Sequence, residues 1–393
     1  MNLDLFKDYT LQREELLARI AESLQLDKSR KLRMESAYNS ISTLLNDNQG
    51  FFNSIDVDVY PQGSVATGTT TRPLTDSEYD LDIVVHIKEL FSKYAPNQVL
   101  NELVNALKND DRYKDKIEIK RRCVRIKYAN DFHMDIMPGC IAFTNDNDNI
   151  KVPDKSLKDW VDSNPKGFIE WFLRRARTVI KPTLLETYRS QLINLKAQIE
   201  DLPNDEFYTK TPLQRSVQLI KRYRDIYFEK NEEYATTSIV LTTLMGLFYS
   251  GENSIYDTLE NNIRKIKQAY LISSEQNKKF QVINPVNTNE NFTDKWTDKH
   301  FLSFFEFIEE FSKKWNSIKE GFNKGASEYI LLFGEGIYKQ SLRDQVAQMS
   351  KFSFDANTIA NGLIINNNAF TNKAGQITSN YGYKNEPHRN YGE

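Results

Sequence analysis

Much that would commit this chain to an oxidising or membrane setting is missing. Only two cysteines, Cys123 and Cys140, occur in 393 residues, in separate strand-like segments. They read as buried thiols of a reducing cytoplasm rather than as a disulfide. The longest apolar run, from Ile239 to Tyr249, is broken by threonines and too short to span a bilayer. Met1 to Asp8 has neither a basic leader nor an apolar core, which argues against a signal peptide. A cytoplasmic location with no membrane partner is expected. Net charge is −2, with 27% charged and 39% hydrophobic residues. That balance is ordinary for a globular protein, and without a basic excess no stable nucleic-acid complex is expected. There is no internal repeat and no zinc-type spacing, and the four histidines show no catalytic spacing. The interval from Gly63 to Gly68 mimics a P-loop, but Thr69 stands where the lysine should be and Pro73 interrupts the helix that should follow. Residues 144–155 read as a polar loop leaving a sheet; they lack the glycine and terminal glutamate of a calcium loop.

What the chain does have is concentrated between Val57 and Ile87. A short strand-like run ends at Tyr60 and leads into Gln62-Gly63-Ser64; a Thr-rich connection follows; Asp80-Leu81-Asp82 then opens the apolar run Ile83 to Ile87. In a strand, residues two apart share a face, so Asp80 and Asp82 project side by side. Two carboxylates held together suit a divalent cation, and hard oxygens suit Mg²⁺. Gly63 permits close backbone approach to a phosphate, and Ser64 offers an N–H and a hydroxyl. A phosphate cradle followed by a carboxylate pair is what nucleotidyl transfer needs.

This stretch resembles the polymerase β-type nucleotidyltransferases, whose signature is Gly-Ser, a spacer, Asp-x-Asp and a distant third aspartate. More narrowly, Gln62-Gly63-Ser64, Gly68-Thr69, Arg72-Pro73 and Glu78-Tyr79-Asp80-Leu81-Asp82 are similar to the bacterial cGAS/DncV-like nucleotidyltransferases, the SMODS group. That family makes cyclic di- or trinucleotide second messengers in anti-phage defence. The resemblance implies an α+β fold: a mixed-sheet nucleotidyltransferase core with flanking helices, packed against a helical C-terminal lobe, with the active site in the cleft between them. It also implies two Mg²⁺ ions, replaceable by Mn²⁺, and NTP substrates.

Asp135, in the apolar run Phe132 to Gly139, lies 53 residues after Asp82, an interval that fits one helix and two strands between sheet neighbours. A carboxylate there is costly unless paired or metal-bound. The resemblance makes it the third catalytic carboxylate, a metal ligand able to help deprotonate the attacking hydroxyl. Arg121, Arg122, Arg125 and Lys127, on strands with one wet face, read as a solvated face with a polyphosphate border as the alternative.

The rest of the chain is helical in pattern. Leu16, Leu17, Ile20 and Leu24 form one stripe and Met34, Tyr38, Ile41 and Leu45 a second; the resemblance implies a long N-terminal helix behind the catalytic sheet. From Trp160 the period becomes helical, with Asn164-Pro165 and Thr211-Pro212 as cap-plus-proline starts. In the helix after Pro212, Lys221 falls at the edge of the apolar stripe, and Ser238 ends the capping segment of the next helix. The resemblance assigns both to the donor triphosphate. The aromatic row from Phe301 to Trp315 reads as core, and helices on either side of Gly334 follow. Residues 1–50 are thus expected as N-terminal helices bridging both lobes, 51–160 as the catalytic core, 161–351 as the helical lobe and 352–393 as an Asn-rich mobile tail. The tail is a candidate handle for a regulatory partner or for conjugation.

The expected activity is cyclic oligonucleotide synthesis with release of pyrophosphate, read downstream by an effector of the nucleotide product. Catalysis would rest on Asp80, Asp82 and Asp135, with Gln62, Gly63, Ser64, Lys221 and Ser238 binding nucleotide. Two other readings stand: tailing of an RNA or protein acceptor, and a silent nucleotide sensor.

Overall fold

The computed structural model describes residues 8–47, 50–74, 79–128, 132–196, 207, 209–320 and 322–348, and three two-residue strands near the C-terminus, Phe370–Thr371, Ile377–Thr378 and Tyr383–Lys384. These strands pair as a small sheet; the other residues expected to form a mobile tail, Asn361 and Asn366 to Asn368 among them, lie outside the described residues.

A seven-stranded mixed sheet carries the first half of the chain. Its strands are β1 (Val57–Pro61), β2 (Tyr79–Leu90), β3 (Ile117–Ile119), β4 (Val124–Tyr128), β5 (Phe132–Phe143), β6 (Asp146–Asp154) and β7 (Asp159–Ser163), ordered β1-β2-β5-β4-β3 with β6 on β5 and β7 on β6. β2 and β5 run parallel. A parallel pair needs a crossover, and helix α4 (Pro96–Lys108) with β3 and β4 fills it. β4 pairs with the first half of β5 and β6 with the second, along one edge.

Strand alternation sorts the side chains. Tyr79, Leu81, Ile83, Val85 and Ile87 of β2, with Phe132, Met134 and Ile136 of β5, enter a core covered by α2 (Lys28–Asn46) and α4. The opposite face receives Asp80, Asp82 and Val84, with His133, Asp135 and Met137. Two expectations fail here. Residues 144–155 are mostly strand β6 rather than loop, and 159–163 are strand β7 rather than the start of a helix, so the sheet runs past residue 160. Both segments are rich in Asp and Asn, poor strand formers, but an open edge of β5 supplies the ladder, and pairing overrides propensity.

A second core is built from helices: α5 (Pro165–Ala176), α6 (Leu184–Lys196), α7 (Pro212–Tyr227), α8 (Ser238–Phe248), α9 (Ile255–Glu275), α10 (Asp298–Ser317) and α11 (Phe322–Phe333), then helical turns over 335–348 beyond Gly334 at φ +93°. The cap-plus-proline starts are present: the Asn164 side chain accepts from the Gly167 amide, and Thr211 with Gln214 forms a full capping box. Phe301, Phe304, Ile308, Phe311 and Trp315 bury one face of α10, each worth about 1.5–3 kcal/mol of burial. A two-stranded hairpin, β8 (Ile283–Asn284) and β9 (Asn287–Asn291), leaves this helical region and packs against β7.

The N-terminal stretch is two helices, as its two apolar stripes predict, and not the single long helix that the resemblance implies. Asp27 accepts from the Arg30 amide and starts α2 afresh. α1 (Tyr9–Ser23) then places Leu16, Leu17 and Ile20 in the helical core, while α2 places Met34, Ile41 and Leu45 against the sheet. No helix among the described residues is long and apolar enough to cross a membrane.

Candidate active site

Register sets the first wall of the site. Across the parallel β2–β5 pair, Asp80 stands beside His133 and Asp82 beside Asp135. On the far side of β5, Arg125 stands beside Asp135. The result is a patch of three carboxylates, an imidazole and a guanidinium on one sheet face. Arg125 binds Asp135 bidentately, Nε to Oδ1 at 2.7 Å and Nη2 to Oδ2 at 2.8 Å; its Nη2 is also 3.9 Å from Asp80 Oδ1. His133 Nε2 contacts Asp80 Oδ1. Burial alone would raise Asp80, but His133 and then Arg125 hold it below its ordinary value. Asp82 is different. Among the described residues its side chain makes no hydrogen bond or ion pair. Burial, then Asp80 and Asp135, push it up to about 7.

Gln62 to Gly68 lies against this patch. The Gln62 amide donates to the Asp82 carbonyl (2.8 Å) and helix α3 (Gly63–Thr67) begins immediately after. Gly63 sits at φ +61°, and a Cβ there would come within 2.6 Å of Asp82 Oδ2. The glycine is therefore required twice, by its backbone angle and by the carboxylate packed on it. Ser64 lines the same cleft. The Thr-rich connection folds back: the Thr69 amide donates to the Ser64 carbonyl (2.8 Å).

Helix α7 makes the opposing wall. Gln214, Gln218, Lys221 and Arg222 lie three or four residues apart, or side by side, along one face. They donate to the carbonyls of Thr67 (3.0 Å), Thr70 (2.8 Å), Thr69 (2.9 Å) and Arg72 (3.4 Å) respectively. This row ties the Thr-rich connection to the helical region. Lys221 is expected at the edge of the stripe but is only 4% exposed, anchored by its ammonium to Thr69, while still lining the cleft. Burial, then Arg224, lower it to about 8. Ser238 is also shifted: Thr237 takes the cap position and Ser238 is the first helical residue of α8. Its hydroxyl accepts from Arg224 Nη1 at 2.7 Å.

Gly63, Ser64, Asp80, Asp82, Lys221 and Ser238 line one cleft of about 840 Å³, and Gln62 joins them. Asp135 faces the same side but is held by Arg125 at its margin. Among the described residues no three His, Cys, Asp or Glu groups converge as a ready cation cage. The donor set nevertheless fits a hard divalent cation: carboxylates on adjacent strands, with Asp82 half-buried and without an ion-pair partner among the described residues.

His133 and Arg224 escape the sequence reading. His133 is two residues from Asp135, which puts them on one strand face, and Arg224 is three residues after Lys221, which puts them on one helix face; those spacings were the available signals. The expected solvated face holds in part: Lys127 is exposed, while the arginines are engaged by carboxylates. Arg121 and Arg122 both bind the fully buried Asp154 (Nε–Oδ distances of 2.8 to 2.9 Å), and Arg122 lines the cleft. The buried carboxylate holds both guanidiniums while each stays 37% exposed.

A two-walled cleft of this kind on a mixed sheet defines a nucleotidyltransferase. The model of the Second Messenger Oligonucleotide or Dinucleotide Synthetase domain, SMODS, matches residues 12–175. A c-di-GMP synthase of Roseivirga ehrenbergii is 41% identical over 338 residues, covering 84% of this chain and 86% of the relative. The cyclic dinucleotide synthase CdnG of Bradyrhizobium diazoefficiens is 28% identical over 250 residues, 61% of this chain and 59% of its own. The solved structure of that CdnG in complex with GTP superposes with a TM-score of 0.69 at 22% identity, covering 85% of this chain and 99% of the other. Escherichia coli DncV in its 3'-deoxy GTP bound form gives 0.52 at 17% identity, over 85% and 89%. The chain belongs to the SMODS family of second messenger oligonucleotide or dinucleotide synthetases and is an enzyme of that class.

Proposed function

We propose that this enzyme condenses two molecules of GTP into cyclic di-GMP with release of pyrophosphate. The observation that carries this reading is the cleft: aspartates in register on adjacent strands, facing a lysine-bearing helix across a Gly-Ser turn. The 41% identity to a c-di-GMP synthase supports the choice of product.

In this reading Gln62, Gly63 and Ser64 seat the donor's β- and γ-phosphates, and Lys221 and Ser238, the latter with Arg224, supply cationic and hydroxyl contacts from the other wall. Asp80, Asp82 and Asp135 would hold two Mg²⁺ ions, which would neutralise triphosphate charge and acidify the acceptor hydroxyl. His133 and Arg125 hold the flanking carboxylates in place. Asp135 accepts the proton of the acceptor ribose hydroxyl as its oxygen bonds the donor α-phosphorus. The bond from that phosphorus to the bridging oxygen breaks, and pyrophosphate leaves with the electron pair. A second round between the remaining ends closes the ring.

We further read residues 51–160, extended through β7, as the catalytic core, 161–351 as the helical lobe and the N-terminal helices as shared between them; two separate apolar cores support this. The free thiols Cys123 and Cys140 support a reducing, cytoplasmic setting, and family membership supports a product that signals to an effector in anti-phage defence.

The test is incubation of the purified chain with all four NTPs and Mg²⁺, then phosphatase and mass spectrometry. A phosphatase-resistant species with the mass of cyclic di-GMP is expected. Product only on an added RNA or protein acceptor would favour a tailing enzyme instead.

A further inference from the structure

The far end of the cleft is formed by the β8–β9 hairpin. Asn284, Glu290 and Phe292 line the same cavity as Gly63, Ser64 and Asp82. The hairpin is irregular. Ile283 pairs with Asn291 and Asn284 with Asn287, which leaves Thr288, Asn289 and Glu290 without ladder partners. A bulge of this kind re-aims side chains and recurs beside active sites. β9 also packs on β7, so the hairpin bridges from the helical region to the sheet.

Within this bulge Glu290 is held in place. Asn284 is 3% exposed; its Oδ1 accepts from the Val286 amide (3.0 Å) and its Nδ2 donates to Glu290 Oε2 (2.8 Å). Among the described residues Glu290 has no ion pair and no other hydrogen bond. Other carboxylates of the cleft are less suited to reading a ligand. Asp225 is engaged by Arg224, and Glu229 and Glu232 are exposed and not fixed by a buried side chain. Beside Glu290, Phe292 meets Phe168 edge-on, with ring centroids 6.3 Å apart, giving an apolar surface next to the carboxylate.

A fixed carboxylate with one oxygen entirely free and the other accepting a single bond can take two parallel donors. The Watson–Crick edge of guanine offers such a pair, N1–H and N2–H. Adenine presents an acceptor, N1, in the same place, and an unpaired carboxylate against a lone pair is repelled. We propose that Glu290, oriented by Asn284, reads the guanine base of a nucleotide bound in this cleft. The inference rests on the GTP reading above and adds the group that enforces it.

The test is the affinity of wild type and Glu290→Gln for nonhydrolysable GTP and ATP analogues with Mg²⁺, alongside product analysis of the wild type. Glutamine can donate to adenine N1 and accept from its N6 amine, as amide side chains pair with adenine elsewhere. GTP-analogue affinity is therefore expected to fall about 10- to 100-fold, while ATP-analogue affinity holds or rises. Asn284→Ala, which frees Glu290 without removing it, should lose part of the same preference, and equal thermal midpoints would show that both variants fold. An unchanged GTP-to-ATP affinity ratio in folded Glu290→Gln would overturn the assignment, even if wild type makes cyclic di-GMP. A wild type that makes no cyclic dinucleotide would overturn the function above, and the affinity ratio would still decide the role of Glu290.

Discussion

The two walls of the cleft hold charge by different means. On the sheet, carboxylates meet side-chain cations: Asp80 with His133, Asp135 with Arg125, Asp154 with Arg121 and Arg122. In the helical region, several buried cations meet backbone carbonyls: Lys221 on Thr69, Arg222 on Phe333 and Arg72, Arg215 on Ala18, Arg175 on Gly246, although Arg224 still pairs with Asp225. An ion pair cancels charge. A carbonyl dipole solvates a cation and leaves its charge in place. The helical wall therefore keeps the positive charge of Lys221 and Arg222, and the sheet wall keeps the negative potential around Asp82. That polarity suits a polyanion lying on one side and a divalent cation on the other.

The sharpest way to break the contrast is to neutralise the uncompensated carboxylate. Asp82→Asn is expected to lower turnover by about 100- to 1,000-fold, the range for losing a charge-stabilising group from a transition state. The fold should not suffer, because Asp82 is raised by burial and by repulsion from Asp80 and Asp135, both relieved in the amide. Product formation and a thermal midpoint check both halves; turnover near the wild-type rate would remove Asp82 from the chemistry.

The contrast extends to buried titratable groups far from the cleft. In the helical core, Glu14 accepts from the Ile255 and Tyr256 amides, and burial raises it from 4.5 to about 7. Its folded state binds a proton more tightly than the unfolded chain, so its contribution to stability falls as pH rises from 4.5 to 7, by about 3 kcal/mol. On the sheet, His86 is lowered from 6.5 to about 4 by burial, then Lys88 and Lys166. Here the unfolded chain binds the proton more tightly, and stability is lost as pH falls from 6.5 to 4, again by about 3 kcal/mol. The two slopes oppose each other between 4.5 and 6.5. Relative to wild type, the urea midpoint of Glu14→Gln should rise with pH across that window, and that of His86→Gln should fall.

A smaller effect is expected from the helical wall. Lys221→Met removes a cation that a carbonyl solvates but does not neutralise. Affinity for a nonhydrolysable GTP should drop by about 10- to 100-fold, the range for one charged hydrogen bond. Stability should change little, since burial already penalises the charged lysine. Titration calorimetry would measure it, and an unchanged affinity would take Lys221 out of the donor site.

The same division governs what could be read from the chain. Asp80 and Asp82 share a face because strand alternation is local, and Gly63-Ser64 stands close by in sequence. The interval to Asp135 anticipates a sheet neighbour, and β5 does lie beside β2. His133 and Arg125 become partners of the carboxylates only through β2–β5 and β5–β4 register, which no single segment encodes. β6, β7 and the β8–β9 hairpin are polar, Asn- and Asp-rich strands whose extension is imposed by their neighbours. Lys221 reads as a lysine at the edge of the apolar stripe until the Thr-rich connection is folded over it. Helix starts were legible to the residue at Asn164-Pro165 and Thr211-Pro212, where capping chemistry is contained within four positions.

The least severe change asks whether the turn serves the carboxylate or only itself. Gly63 and Gly68 both have positive φ, +61° and +70°, so alanine at either carries a backbone cost of about 1 kcal/mol. They differ in what a Cβ would meet. At Gly68 it is Gln214 Nε2, 2.7 Å away at the free end of a side chain that can move; at Gly63 it is Asp82 Oδ2, 2.6 Å away, on a side chain confined by the strand face. The two variants should lose similar stability. Gly63→Ala should lower turnover about tenfold more than Gly68→Ala, a difference worth about 1.4 kcal/mol in the barrier, because it displaces the carboxylate that the sheet wall leaves uncompensated. Equal activity losses would mean that strain in the turn, and not the position of Asp82, is what glycine protects at 63.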